Sequence, residues 1–307
     1  MPSSSAAVLE PPPPPPPALE TSTNVARPRI SSSAWFLGIH LACFLAFWTG
    51  VSWTAIAVAV LLYAMRMFAV TATYHRLFAH RSFETSRLFA FLLSVVATTA
   101  IQKGPLWWAA VHRHHHRYSD LPEDVHSPVQ HGFWWSHMGW ILATDWSATD
   151  YDRVQDLAVR PELRWLDRWY LLPPALLTVA LYGLGLWLDA TWPSLGTSGA
   201  QLVVWGMGVS TVIGYHATWS VNSIVHVAGK RRFRTTDQSR NNWLVAIYTF
   251  GEGWHNNHHR YQASERQGFY RGEIDITHGV LWLLSRVRLV WNLKVPPPTV
   301  LEEGRAR

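Results

Sequence analysis

The chain has 307 residues, a net charge of +6, 49% hydrophobic residues and only 15% charged ones. A soluble domain carries about 25% charged residues, so an ordinary water-exposed globule is excluded, and nineteen Trp fit the lipid–water interface where indoles collect. The single cysteine, Cys43, excludes an internal disulfide and a thiolate metal site, and the positive balance reflects Lys and Arg kept on one side of a membrane, with no nucleic-acid partner implied.

Residues 1–33 are rich in Pro and Ser and include seven consecutive prolines, Pro11 to Pro17. They favour an extended polyproline II conformation and predict a disordered tail. No apolar run there suggests a cleavable signal. Four apolar stretches follow, at residues 34–48, 51–67, 171–188 and 201–221. Each approaches the roughly 20 residues that a bilayer core requires. Residues 88–101 are apolar but too short to span, which predicts an interfacial or re-entrant helix. The turn at Thr49–Gly50 and the loop from Asp189 to Ala200 hold no Lys or Arg, whereas residues 68–170 and 222–298 hold many. The positive-inside rule then puts both termini and these segments in the cytoplasm. The predicted architecture is an all-α integral membrane protein, with four transmembrane helices in two hairpins beneath a cytoplasmic helical cap. One domain would cover residues 34–298, followed by a short tail at 299–307.

The cap segments carry the histidine groups "HRLFAH" (residues 75–80), "HRHHH" (112–116) and "HNNHH" (255–259). His112, His115 and His116 have the pattern H-x-x-H-H, and so do His255, His258 and His259. On a helix, positions i, i+3 and i+4 share one face, so each triplet can direct its rings into one space. His75 and His80 are five apart, roughly 140° on a straight helix, so that helix must end or bend between them. "NSIVH" adds Asn222 and His226, four apart at the cytoplasmic end of the last span. Imidazole is the commonest protein metal ligand, and nine rings on one side of a membrane predict a metal site. Nine exceed a four-ligand zinc site and suit two metals with four or five ligands each. The carboxylate type of di-metal site uses two E-x-x-H motifs. Glu123–His126 and Glu252–His255 match it, but Pro122, Gly251 and Gly253 argue against helices there. His40, His114, His126, His131, His137 and His278 are read as structural, lying in a span, in loops or on polar faces. His216, polar within a span, is left open.

These boxes, together with "HSPVQHGFWWSHMGW", "ATWSVNSIVH" and "DQSRNNWLVAIYTFGEGWHNNHHRY", resemble the membrane-bound fatty acid desaturases. "NNWLVA" running into "TFGEGWHNNHHRY" is similar to the delta-9 acyl (stearoyl-CoA type) branch, in a bacterial-like form without a fused haem domain. The resemblance implies two iron ions held by His75, His80, His112, His115, His116, His226, His255, His258 and His259, with Asn222 holding a water on one iron. It implies molecular oxygen as co-substrate and a cis double bond in a saturated acyl chain attached to CoA or to a lipid. Trp108 and Trp219 are expected along the substrate tunnel. An external electron donor, a ferredoxin or small haem protein with its reductase, is expected to dock on basic residues such as Lys230, Arg231, Arg232 and Arg234. The expected location is multi-pass in a bacterial cytoplasmic membrane. Animal acyl-CoA members carry charges where this chain has Ala110-Val111 and Ala143-Thr144, which weakens the expectation of a CoA head group. A hydroxylase or ketolase on the same scaffold is one alternative. A membrane metal-binding or transport protein is another, although its spans should be more polar than these.

Overall fold

The computed structural model of the chain describes residues 30–143 and 147–306; residues 1–29 of the Pro-rich tail lie outside the described residues, as does Thr144, whereas residues 30–33, expected in the disordered tail, are helical. Helix α1 covers residues 30–49 and stops at Gly50, whose φ of 71° costs glycine nothing. Ser52 then caps α2 (Trp53–Ala79), its hydroxyl accepting the Ala55 amide at 3.1 Å. After these come α3 (Arg87–Thr98), α4 (Pro105–Tyr118), α5 (Pro161–Arg168) and α6 (Leu172–Thr191). Helix α7 covers residues 199–227. The chain closes with α8 (His255–Arg260), α9 (Ile276–Arg286) and α10 (Pro298–Arg305). Among the described residues the strands form one antiparallel clip, pairing Glu84 with Trp291 and Thr85 with Val290. It ties the chain beyond α2 to the segment beyond α9.

Helices α2 and α6, of 27 and 20 residues, are long and apolar enough to cross a bilayer. The other two predicted spans fall on α1 and α7. Helix α6 turns Leu176, Val179 and Leu186 outward and meets α7 through glycine. A Cβ on Gly185 would lie 2.5 Å from Gly199 Cα, the close approach that small residues permit between membrane helices. Trp48 and Trp53 flank the α1–α2 turn and are 83% and 86% exposed, as indoles at a lipid boundary are. Helix α3 buries Ala90, Ser94 and Ala97 and exposes Leu88 and Leu92, which suits the predicted interfacial helix.

Helix α2 continues well past its expected end at Met67. Its last ten residues, Val70–Ala79, wind as a π-helix, and the His80 amide donates to the His75 carbonyl at 3.2 Å. Such i→i+5 bonding brings residues five apart onto one face. That winding, followed by the helix end at His80, meets the requirement that His75 and His80 posed. Residues 298–305, counted among the last of the domain and the tail, are helical, and Val300 packs on Phe233 and Phe269.

Candidate metal centre

Helix α4 begins at Pro105, with Asp167 of α5 accepting the amides of Leu106 and Trp107 at 2.9 and 3.0 Å. Its last turns carry His112, His115 and His116. The short helix α8 is held at its start by Asn241 Oδ1, which accepts the amides of Asn256 and Asn257 at 2.9 and 3.1 Å. The side chains of Asn256 and Asn257 reach away from the rings, to Phe233 and to Glu273. With His75 and His80 from α2 and His226 from α7, the nine predicted rings come together in two groups. His75, His80, His112, His116 and His258 form one, and His115, His226, His255 and His259 the other. Within each, the ligand atoms all lie within 4.8 Å of one another. Each H-x-x-H-H box is therefore divided: its i and i+4 rings serve one group and its middle ring the other.

In the first group the close contacts all run between Nε2 atoms. They are His75–His258 at 3.1 Å, His80–His112 at 2.8 Å, and His116 to both His112 and His258 at 2.9 Å. In the second, His226 and His255 meet through Nε2 at 3.1 Å. Carboxylates behind the rings fix the tautomers. His226 Nδ1 donates to Asp120 at 2.9 Å, His259 Nδ1 to Asp237 at 2.7 Å and His115 Nδ1 to Asp124 at 3.0 Å. His75 Nδ1 lies 2.5 Å from Glu252. A ring that gives its Nδ1 proton to a carboxylate keeps its lone pair on Nε2. Lone pairs facing one another repel, and hydrogen bonding can supply at most one proton per facing pair. His259 Nε2 has no protein partner. A cation at the centre of each group removes the conflict, so the donor set fits two metals, and neutral imidazole suits first-row transition metals.

The electrostatics agree. Burial, with neighbouring rings adding to it, pushes His80, His112, His116, His255 and His258 well below the ordinary imidazole range. Burial holds His259 at about 4 even against Asp237. Neutral rings are the form that binds metal. Burial would raise Glu252, but His75 and Arg76 outweigh it and hold its carboxyl at about 2. Arg76, read from the sequence only as a sign of sidedness, is 1% exposed. It donates to Glu252 at 3.0 Å, to both oxygens of Asp275 at 3.0 and 3.1 Å, and to the Glu265 carbonyl at 2.7 Å.

Sequence reasoning missed Arg76 and the orienting roles of Asp120, Asp124, Asp237 and Glu252. For Asp120, Asp124 and Glu252 a usable signal was their position beside the boxes, in "SDLPED" and "GEGW", in a chain with few charges; Asp237, 22 positions before His259, gave none. Two other histidines, read as structural, are more deeply buried than their sequence surroundings suggest. His126 is buried, its ring 4.5 Å from that of His115. His137 is buried too, 2.9 Å from Ser223 Oγ and 2.9 Å from His216, which in turn lies 3.3 Å from His40. His114 points away from its triplet, to the Glu123 carbonyl at 2.7 Å.

A cavity of about 430 Å³ opens beside the first group, bordered by Trp108, Val111, His112, Trp140 and Trp219. A void of about 40 Å³ lies between the groups, bordered by His75, His112, His115, His255 and Asn222. It has room for a water or another small molecule. Asn222, Trp108 and His112 border both spaces.

Fold and site together define a membrane-associated, multi-histidine protein with a metal-compatible centre beside an apolar chamber. The family model "fatty acid desaturase" matches residues 51–267, and the chain belongs to that family. It is 38% identical over 282 residues to an sn-1 stearoyl-lipid 9-desaturase of Anabaena variabilis, covering 90% of this chain and 97% of that one. It is 37% identical over 263 residues to an acyl-CoA 5-desaturase of Anemone leveillei, covering 84% and 77%. A chloroplastic palmitoyl-monogalactosyldiacylglycerol delta-7 desaturase of Arabidopsis thaliana is 38% identical over 264 residues, covering 85% and 67%. The chain is a fatty acyl desaturase, an oxidoreductase. These names differ in both the position of the double bond and the acyl carrier.

Proposed function

We propose that the two histidine groups hold two irons and that the 430 Å³ cavity seats the saturated acyl chain, attached to CoA or a lipid, for cis desaturation at the delta-9 position. The convergence of nine Nε2-directed rings beside an apolar cavity carries this reading. A methylene offers no acid, base or charge to act on, so the oxidising power would come from molecular oxygen, activated by the bound iron. The residues of the chain do the rest. Trp108, Trp140 and Trp219 exclude water and set which carbons face the histidines. Asn222 holds a water in the small void. Asp120, Asp124, Asp237 and Glu252 keep the rings oriented. Each turnover takes two hydrogens from the chain and two electrons and two protons from outside, and reduces one oxygen molecule to two waters. The domain would cover residues 34–298, with four spans on α1, α2, α6 and α7, both termini cytoplasmic and the histidines at the cytoplasmic membrane surface. Expression in a bacterial host lacking unsaturated fatty acids should yield cis-monoenoic chains, located by mass spectrometry of their double-bond adducts. Hydroxylated chains in their place would overturn the reading.

The electrons come, on this reading, from an acidic carrier docking on the basic face. Arg231 is engaged with the Asp237 carbonyl at 2.7 Å, and Arg232 with Glu273 at 3.0 Å. Lys230 and Arg234 are exposed and have no acidic partner among the described residues. Lys230→Gln with Arg234→Gln should slow carrier-driven reduction roughly tenfold at low ionic strength, and less at high salt. Stopped-flow reduction checks this, with iron content unchanged. Rates that ignore both salt and the substitutions remove this face from the mechanism.

A further inference from the structure

Beside the apolar cavity, and bordered by none of the histidines, lies a second pocket of about 540 Å³. The two spaces share Lys103, Trp107, Ser147 and Tyr170. Helix α5 sets Arg164 and Arg168 one turn apart along this pocket. Both are exposed, and neither has an acidic partner among the described residues. Their guanidinium groups lie over Tyr151 and Trp169, at 5.9 and 5.6 Å. Asp167 also borders the pocket, but its oxygens are taken by the amides of Leu106 and Trp107 and by the Thr149 hydroxyl at 2.8 Å. Among the described residues the lining is therefore cationic on balance and rich in aromatic rings. The backbone at the junction is strained: Ile101 and Lys103 have φ of 57° and 68°, and a β-branched residue rarely takes that conformation. Tyr215 holds the Ile101 carbonyl at 2.9 Å, and Gln102 donates to Thr218 at 3.0 Å. The turn keeps Lys103 at the boundary between the two spaces.

We propose that this pocket binds the phosphate-bearing head group of the acyl carrier, with Arg164 and Arg168 contacting the phosphate; this rests on the reading of the apolar cavity as the acyl site. Arginine presents a fork of N–H donors that matches phosphate oxygens. The loss of charge at Ala110 and Ala143 does not count against it. Ala110 and Ala143 are buried, and Ala143 borders the apolar cavity. The cations come from α5, far from any histidine box in sequence. A CoA pyrophosphate and a phospholipid phosphate share this chemistry, whereas a galactolipid head lacks it.

The test is equilibrium binding to the full, iron-loaded chain in neutral detergent, followed by tryptophan fluorescence, because Trp107, Trp165 and Trp169 border the pocket. The probes are stearate, stearoyl-CoA, distearoylphosphatidylglycerol and a monogalactosyl distearoylglycerol. The two phosphate-bearing probes should bind about tenfold tighter than the other two. Arg164→Gln with Arg168→Gln should abolish that advantage and leave stearate binding unchanged, and the Arg→Lys pair should restore part of it. Competition by CoA alone, or by short-chain phosphatidylglycerol alone, identifies which phosphate the pocket accepts. Wild-type affinity of the double Gln variant for both phosphate-bearing probes would overturn the proposal. So would weaker attachment of that variant to anionic vesicles with unchanged binding in micelles, which assigns the arginines to the membrane surface. Failure of the wild type to bind stearate would instead overturn the acyl reading of the cavity.

Discussion

His258→Ala is expected to leave the chain folded in the membrane, with about one iron in place of two and desaturation reduced about a hundredfold or more. His258 is 1% exposed, and its Nε2 lies 3.1 Å from that of His75 and 2.9 Å from that of His116. It is the one ring that the third box contributes to the five-membered group. Alanine leaves an open position and four rings with misdirected lone pairs. Replacing groups that merely support a ligand already costs about 10- to 100-fold in metal affinity or activity, so a ligand should cost at least the upper end. His131→Ala, at an exposed ring tilted against Trp135, is the control and should change little. Elemental analysis and product yield are the measurements. Full activity with two irons in the His258 variant would remove it from the ligand set, and an active preparation containing only zinc would remove iron altogether.

Acidification should destabilise the metal-free protein steeply. His80, His112, His116, His255, His258 and His259 are held below the ordinary imidazole value of 6.5, by burial first and, for most of them, neighbouring rings next. Above that value both folded and unfolded rings are neutral. As pH falls below it the unfolded chain takes up protons that the folded chain refuses, so stability falls until the folded values are reached. For His259, displaced to about 4, the loss is on the order of 3 kcal/mol. His115 works the other way: Asp124 outweighs burial and raises its pKa, so its contribution is complete below 6.5 and fades as pH rises. One ring opposes six. Chelated protein in detergent should therefore show a thermal midpoint that holds from about pH 8 to pH 7 and drops steeply between about pH 6.5 and pH 4. Iron-loaded protein should resist to lower pH, because metal and proton compete for the same nitrogens. A midpoint flat across that range would contradict the buried neutral cluster.

The ligand candidates were legible because their spacing is a helical property. An H-x-x-H-H box must gather its rings on one face whatever surrounds it, and the low charge content made helices in a membrane the natural setting. How the boxes divide was not legible, because it depends on the angle at which α4, α8 and α2 meet. The π-winding at Val70–Ala79 was hidden for a similar reason: local propensity does not encode it, although the five-residue spacing of His75 and His80 demanded some irregularity. The carboxylates escaped because acids that orient a ring look the same in sequence as acids that face water. Asp237 reaches His259 across 22 positions and Asp120 reaches His226 across 106. The burial of His126 and His137 was not legible because polar neighbours in sequence do not reveal packing by distant helices.

The guanidinium of Arg76 carries a consequence for how the molecule is made. Its acidic partners are Glu252, Glu265 and Asp275, and the nearest of them in sequence, Glu252, is 176 positions further on. Synthesis starts at the N-terminus, so throughout the insertion of α2 and α6 this cation has none of its partners. An unpaired charge cannot settle in a dry interior, so the C-terminal end of α2 stays open to water until the last part of the chain emerges. The same late segment brings His255, His258, His259 and the Glu252 that orients His75. The full set of rings therefore exists only once this late segment has been made, and chains released before Glu252 lack every acidic partner of Arg76 and three of the nine rings.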